Sequence, residues 1–323
     1  MITAFVNSMG TMRRVSLEEG QEVPFAATWI DLMSPTPAET KTIEASLGLE
    51  FPTKEEMSEI EVSSRLYQEG GAFFLTATVL TKADSVIPES HPVTFILSGH
   101  RLITLRHADP LPFRSFASQV ERPGHACPSG EAALMGLFDA IIDRIADILE
   151  HVQADMDSLS NETFTRRKRL AGLDFEAMLQ RIGRCQTLTS KARDSLVSIG
   201  RLLTFLGRPG DAKTDKALGR NVKTLIRDVT SLSDHATFLL SNINFLLDAT
   251  LGMLNIEQNG IIKIFSVAAV VFLPPTLIAS IYGMNFEHMP VEIHSTYGYP
   301  IALVVMLLSA VLPYFFFKRK GWL

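Results

Sequence analysis

Short stretches rich in β-branched and aromatic residues mark the first third of the chain. Ala27–Leu32, Ala72–Val79, Val93–Leu97 and Leu102–Leu105 are of this kind and predict strands. Gly70-Gly71 and Ser98-Gly99 supply turns between them. Ser34-Pro35-Thr36-Pro37 followed by Ala38-Glu39 reads as a turn and helix start, leading into a helix over Glu39–Leu47. Strands interleaved with a helix predict a mixed α/β domain over residues 1–130.

Beyond Gly130 the apolar positions fall three and four apart. Leu134, Leu137, Phe138, Ile141, Ile142, Ile145, Ile148 and Leu149 form the inner face of a helix from Glu131 to Leu159. Gly172 interrupts the next helical segment, which runs to Leu206, and Gly207-Arg208-Pro209-Gly210 stops it. From Asp215 no proline occurs until Pro274, so a single helix of about 60 residues, roughly 90 Å long, is expected.

Two unbroken apolar runs follow. Ile264–Tyr282 and Tyr299–Phe317 contain no Asp, Glu, Lys or Arg. Each has about 19 residues, close to the ~20 that a helix needs to cross a bilayer. Lys263 precedes the first, Lys318-Arg319-Lys320 follows the second, and the connector Gly283–Gly298 has no Lys or Arg. The bias of basic residues toward the cytoplasmic side puts both termini inside and the connector outside. Pro274-Pro275 removes backbone donors within the first run, so this span is expected to face protein or a water-filled cavity there.

Composition narrows the function. The net charge of −5 argues against nucleic acid as a partner. Cys127 and Cys185 are far apart and read as reduced thiols of a cytosolic domain. The N-terminus lacks a basic region leading into an apolar one, so no cleaved signal peptide is expected. No HExxH, GxSxG or P-loop motif occurs, and His91, His100, His107 and His125 have no ligand spacing, so neither an enzyme nor an organic cofactor is expected.

The first span carries a pattern of its own. Asn259, Ile262, Ser266, Ala269, Leu273, Thr276, Ser280 and Gly283 succeed one another at steps of three or four, which puts them on one helix face. Most of the polar and small residues of the span lie there. By pattern alone the stripe fits a pore lining or a helix–helix contact equally. Asp248 lies about three turns before Asn259, near the same face. Alone it reads as a solvated residue; repeated around an axis it becomes an acidic ring.

The segments that flank the stripe resemble the CorA family of divalent-cation channels. The resemblance is carried by Asn255-Ile-Glu-Gln-Asn259, Ile262–Ser266, Val271-Phe-Leu-Pro-Pro-Thr276, Gly283-Met284-Asn285, Tyr297–Pro300 and Phe317–Leu323, and it extends over most of the chain. It implies a funnel-shaped homopentamer in which five first spans line the pore and Gly283, Met284 and Asn285 form the outer selectivity filter. By the same match Asn259 lines the inner half of the pore, Leu273 lies at a hydrophobic constriction, Thr276 at a polar lining position and Asp248 at the cytoplasmic mouth; the stripe adds Ile262, Ser266 and Ser280 as pore-lining candidates. Where many relatives carry Met-Pro-Glu, this chain has Met289-Pro290-Val291-Glu292, so the attraction of cations to the loop falls to Glu287 and Glu292.

These features predict an α/β domain with a long stalk helix that continues into a two-span membrane domain. Its parts are the α/β domain (1–130), a helical hairpin (131–213), the stalk (214–263), span one (264–282), the loop (283–298), span two (299–317) and a basic tail (318–323). The location implied is the inner membrane of a bacterial cell. The cargo expected is Mg²⁺, with Co²⁺ and Ni²⁺ as secondary substrates. Mg²⁺ gives up its water reluctantly, and a span without carboxylates cannot strip it bare, so Asn285 amides would select the hydrated ion. Inward leak calls for gating by intracellular Mg²⁺. Asp139, Asp143, Asp147 and Glu150, spaced along one helix, are candidate regulatory ligands, and equally an ordinary solvated face. The nearest rival is a zinc-transporting relative using His288 and His294 with Glu287 or Glu292, although no His or Cys lies on the stripe.

Overall fold

The computed structural model describes residues 1–8, 10–18, 20–59, 61–165, 174–207, 216–284 and 297–321. The chain divides into two compact units, one holding the sheet and the helices through Leu247, the other the chain from Asp248 onward.

The first unit is built on a seven-stranded sheet, β1 (Ile2–Ser8), β2 (Thr11–Leu17), β3 (Ala27–Met33), β4 (Leu66–Glu69), β5 (Ala72–Thr81), β6 (Glu89–Ser98) and β7 (Arg101–Arg106). The order is β2-β1-β3-β7-β6-β5-β4, antiparallel throughout except for the central β3–β7 pair. β3, β5, β6 and β7 occupy the stretches that the side-chain pattern predicts. β1, β2 and β4 do not stand out in it: Arg13 and Arg14 interrupt β2, and β4 has only four residues.

Helices cover both faces because successive strand residues point opposite ways. One face packs under α1 (Pro37–Leu47) and α2 (Lys54–Ser58): Ile43, Phe51 and Met57 close over Ala4, Ile30, Phe74 and Ile103. The other meets α4 (Leu111–Val120) and α5 (Gly130–Thr165): the Trp29 ring lies 5.4 Å from Phe116, and Phe95 lies 4.9 Å from Phe138. Every apolar α5 residue singled out above, from Leu134 to Leu149, is buried. A Cβ at Gly130 would stand 2.3 Å from the Arg101 carbonyl carbon, so only glycine admits α5 this close to β7. α1 starts on a capping box, the Thr36 hydroxyl accepting from the Glu39 N–H and the Glu39 carboxylate accepting from the Thr36 N–H, and ends on Gly48 at φ 67°.

A polar chain runs through the second core layer. Trp29 Nε1 donates to Thr104 Oγ1 (3.0 Å), which donates to Asp31 Oδ1 (2.7 Å). Arg106 Nη2 donates to Asp31 Oδ2 at 2.8 Å. Because both ions are buried and fully bonded, the pair costs little while intact and a great deal when broken. Cys127 and Cys185 are free, and burial pushes both thiols up to about 11, so they stay protonated at neutral pH.

β4 pairs with β5 only as far as Leu75. Further along that edge the short helix α3 (Val62–Arg65) and the long helix α6 (Phe175–Leu206) take over. Ser195 Oγ donates to the Thr78 carbonyl (2.7 Å), and the Thr78 N–H donates to Ser198 Oγ (2.9 Å). The helix thus supplies the hydrogen bonds that a neighbouring strand would make.

α7 (Lys216–Tyr282) is one helix of 67 residues, unbroken at Pro274-Pro275, and α8 (Gly298–Arg319) is the second apolar helix. Both are long and apolar enough to cross a membrane.

Candidate functional site

In the second unit, burial separates the faces of α7. From Gly260 onward its covered or half-covered positions are Gly260, Val267, Ala268, Val271, Pro274, Pro275 and Ile278. On α8 they are Gly298, Ala302, Met306, Ser309, Ala310, Pro313 and Phe317. Both sets recur at steps of one, three, four or seven, as two helices packed side by side leave them.

The polar and small stripe lies elsewhere. Asn259, Ile262, Ser266, Ala269, Leu273, Thr276, Ser280 and Gly283 are all exposed in the single chain. Val271 on the covered face and Leu273 on the stripe are two residues apart, about 200° around a helix of 3.6 residues per turn. The stripe therefore faces directly away from the covered side. This excludes contact of the stripe with the chain's own α8; a pore lining and a contact with another copy both fit it. Asp248 is exposed at the corresponding angle lower on the same helix.

Thr276 adds chemistry to the stripe. Its hydroxyl donates to the Phe272 carbonyl at 2.7 Å. The proton is thereby committed to the backbone, and the oxygen lone pairs turn outward as acceptors. Pro274 and Pro275 withhold the N–H groups that would bond the carbonyls of Val270 and Val271. Pro274, Pro275 and Val271 lie on the covered side, so on the stripe it is the Thr276 oxygen that suits the water shell of a cation.

At the end of α7 the Gly283 N–H still donates to the Ala279 carbonyl (2.9 Å), and the Met284 N–H to Ile281 (3.3 Å). Gly283 closes the last turn, and Met284 projects from it with 44% exposure. Asn285, Glu287, Glu292, His288 and His294 lie outside the described residues.

The acidic row on α5 is only partly gathered. Asp139, Asp143 and Asp147 line one groove of about 340 Å³ against α4, and Glu150 is not among its walls. Arg144 points from the same wall to Asp84 at 2.7 Å. Partial burial, then Asp143 and Asp228, hold the Asp139 carboxyl above its usual range. Among the described residues no three His, Cys, Asp or Glu side chains converge on a point where a metal could bind.

A sheet-bearing unit followed by two helices long and apolar enough to cross a membrane is the arrangement of a two-span membrane protein. The model of the CorA-like Mg²⁺ transporter proteins matches residues 26–319. Two proteins named magnesium transport protein CorA, from Salmonella typhimurium and Haemophilus influenzae, are 33% and 34% identical, each over 100% of both chains. The fold matches the complete structure of the CorA magnesium transporter from Methanocaldococcus jannaschii with a TM-score of 0.74, at 19% identity, over 100% of this chain and 99% of that one. The chain belongs to the CorA family.

Proposed function

We propose that this chain is one subunit of a homopentameric channel that admits hydrated Mg²⁺ into a bacterial cell through the inner membrane, with Co²⁺ and Ni²⁺ as secondary cargo. The observation that carries the proposal is the polar stripe turned away from the covered face of α7. Around an axis, five such stripes enclose a lining of Asn259, Ile262, Ser266, Leu273, Thr276 and Ser280. The names of the full-length relatives support Mg²⁺ as the ion.

Acceptor groups facing the axis hold the ion by its water shell, a contact weak enough to let it leave. Gly283, Met284 and Asn285 form the outer filter, Glu287 and Glu292 draw cations to it, and Asp248 marks the inner mouth. Lys263 and Lys318-Arg319-Lys320 keep both termini in the cytoplasm. An inside-negative potential drives entry, contributing about 4.6 kcal/mol per 100 mV for a divalent ion. Intracellular Mg²⁺ closes the path. Within one chain the acidic row from Asp139 to Glu150 does not converge, so an ion held there takes further oxygens from water or from a second copy.

The test is Mg²⁺ entry into dye-loaded proteoliposomes under an inside-negative potential, wild type against Asn285→Ala. The wild type is expected to conduct, and the variant to lose selection and most flux. Flux of Zn²⁺ without Mg²⁺ would overturn the reading and move attention to His288 and His294.

A further inference from the structure

A groove of about 710 Å³ opens in the first unit between the α3–β4 segment, α6 and α7. That volume lies within the usual range of about 300–1,000 Å³ for small-molecule sites. Leu66, Leu196, Val197, Phe205, Ile226 and Val229 form the apolar part of its wall, and Ser63, Thr204, Thr230 and Ser233 add hydroxyls. Ser63, Leu66 and Arg201 all line it; Arg65, between Ser63 and Leu66 in the chain, is outside the lining but near enough to Arg201 for the two charges to repel. Arg65 is held in place, its Nη1 donating to Thr78 Oγ1 at 3.3 Å and its Nε to the Glu59 carbonyl. Neither arginine makes an ion pair among the described residues. Partial burial, and after it the charge of Arg201, pull the Arg65 guanidinium below its ordinary pKa.

Two adjacent guanidiniums call for a dianion, and a phosphate monoester carries about −1.5 to −2 charges at neutral pH, where a carboxylate carries one. Guanidinium also matches phosphate oxygens in a two-point fork. We propose that this groove binds a small organic phosphate, its phosphate between Arg65 and Arg201 and its apolar body against Leu196, Val197, Phe205 and Val229. The proposal stands apart from the ion pathway and does not rest on it. The phosphate can come from a nucleotide or from a single-chain lipid.

Titration calorimetry on the full-length protein in detergent tests it, with adenosine 5′-monophosphate, oleoyl lysophosphatidate, inorganic phosphate and adenosine as probes. One of the two organic phosphates is expected to bind, and at least about tenfold more tightly than inorganic phosphate or adenosine. Arg201→Ala is expected to weaken that binding about tenfold or more, and Arg201→Lys to weaken it less. Arg201 is exposed, so neither change disturbs packing. Val197→Trp, which fills the groove from its rim, is expected to abolish binding with unchanged circular dichroism. Absence of binding by both organic phosphates, or binding indifferent to Arg201→Ala, overturns the proposal. So does a change of oligomer mass in Arg201→Glu without phosphate binding, which would make the groove a contact between copies.

Discussion

Trp29, Phe95, Phe113 and Phe138 in the sheet-bearing unit are each 1% exposed or less, whereas Phe272, Leu273 and Leu277 in the membrane unit stand at 62% or more. Within the two apolar runs only Val267 and Ala302 are buried. The first unit covers its apolar side chains with its own helices. The second leaves them exposed in the single chain, on helices long and apolar enough to lie in lipid. A substitution in the first unit is therefore read mainly as folding stability. A substitution in the second is read mainly as transport, because lipid solvates apolar side chains as well as a protein core does.

The comparison is broken most severely at the buried ion pair. Arg106→Ala strands Asp31 without a partner and is expected to cost about 3–5 kcal/mol. Thermal unfolding followed by circular dichroism would show it, and a loss below about 1 kcal/mol would contradict the burial described. Next comes the same substitution made in both regions. Leu134→Ala, in the core, is expected to cost about 2–5 kcal/mol, whereas Leu303→Ala, at 48% exposure, should stay within about 0.5 kcal/mol. Equal losses would show that α8 is covered by protein on that side too. Thr276→Val keeps size and removes the outward acceptor. It is expected to lower Mg²⁺ flux about tenfold in proteoliposomes, with melting unchanged, and unchanged flux would take the stripe's polarity out of the mechanism.

The smallest effect concerns Asp139. Its native pKa is raised, so the folded protein holds that proton more readily than the unfolded chain does. Ionisation therefore costs stability at neutral pH, and the cost disappears as pH falls through the raised native pKa toward the unfolded value. Asp139→Asn should raise the melting temperature slightly at pH 7 and show a smaller gain near pH 4. A gain independent of pH would point to a cause other than charge.

Long regular patterns were legible in the sequence. The α5 face, the single α7 helix, both apolar helices and the four β-branched strands follow from spacing and composition, because burial on one face imposes a period that many residues repeat. β2 escaped because Arg13 and Arg14 on an edge strand break the alternation, and β4 because four residues carry too little signal. Proline predicts a helix break, and α7 nonetheless continues through Pro274-Pro275. The stripe was visible as a period, yet its direction was not. Only the burial of Val267 and the partial burial of Val271 show which way it turns. Nothing in the sequence joins Arg65 to Arg201, whose charges come within reach of one another only once α6 is bonded to the edge of β5 at Thr78.

The hydroxyls of Ser195 and Ser198 on Thr78 have a consequence for the fate of the chain in the cell. A sheet edge with open backbone groups is a template on which a second chain can add a strand. Here α6 occupies that template. Any event that lifts α6, such as heat, truncation of the hairpin or slow docking during synthesis, turns a quiet edge into an adhesive one. The pair of serines thus guards the chain against self-association before it reaches the membrane.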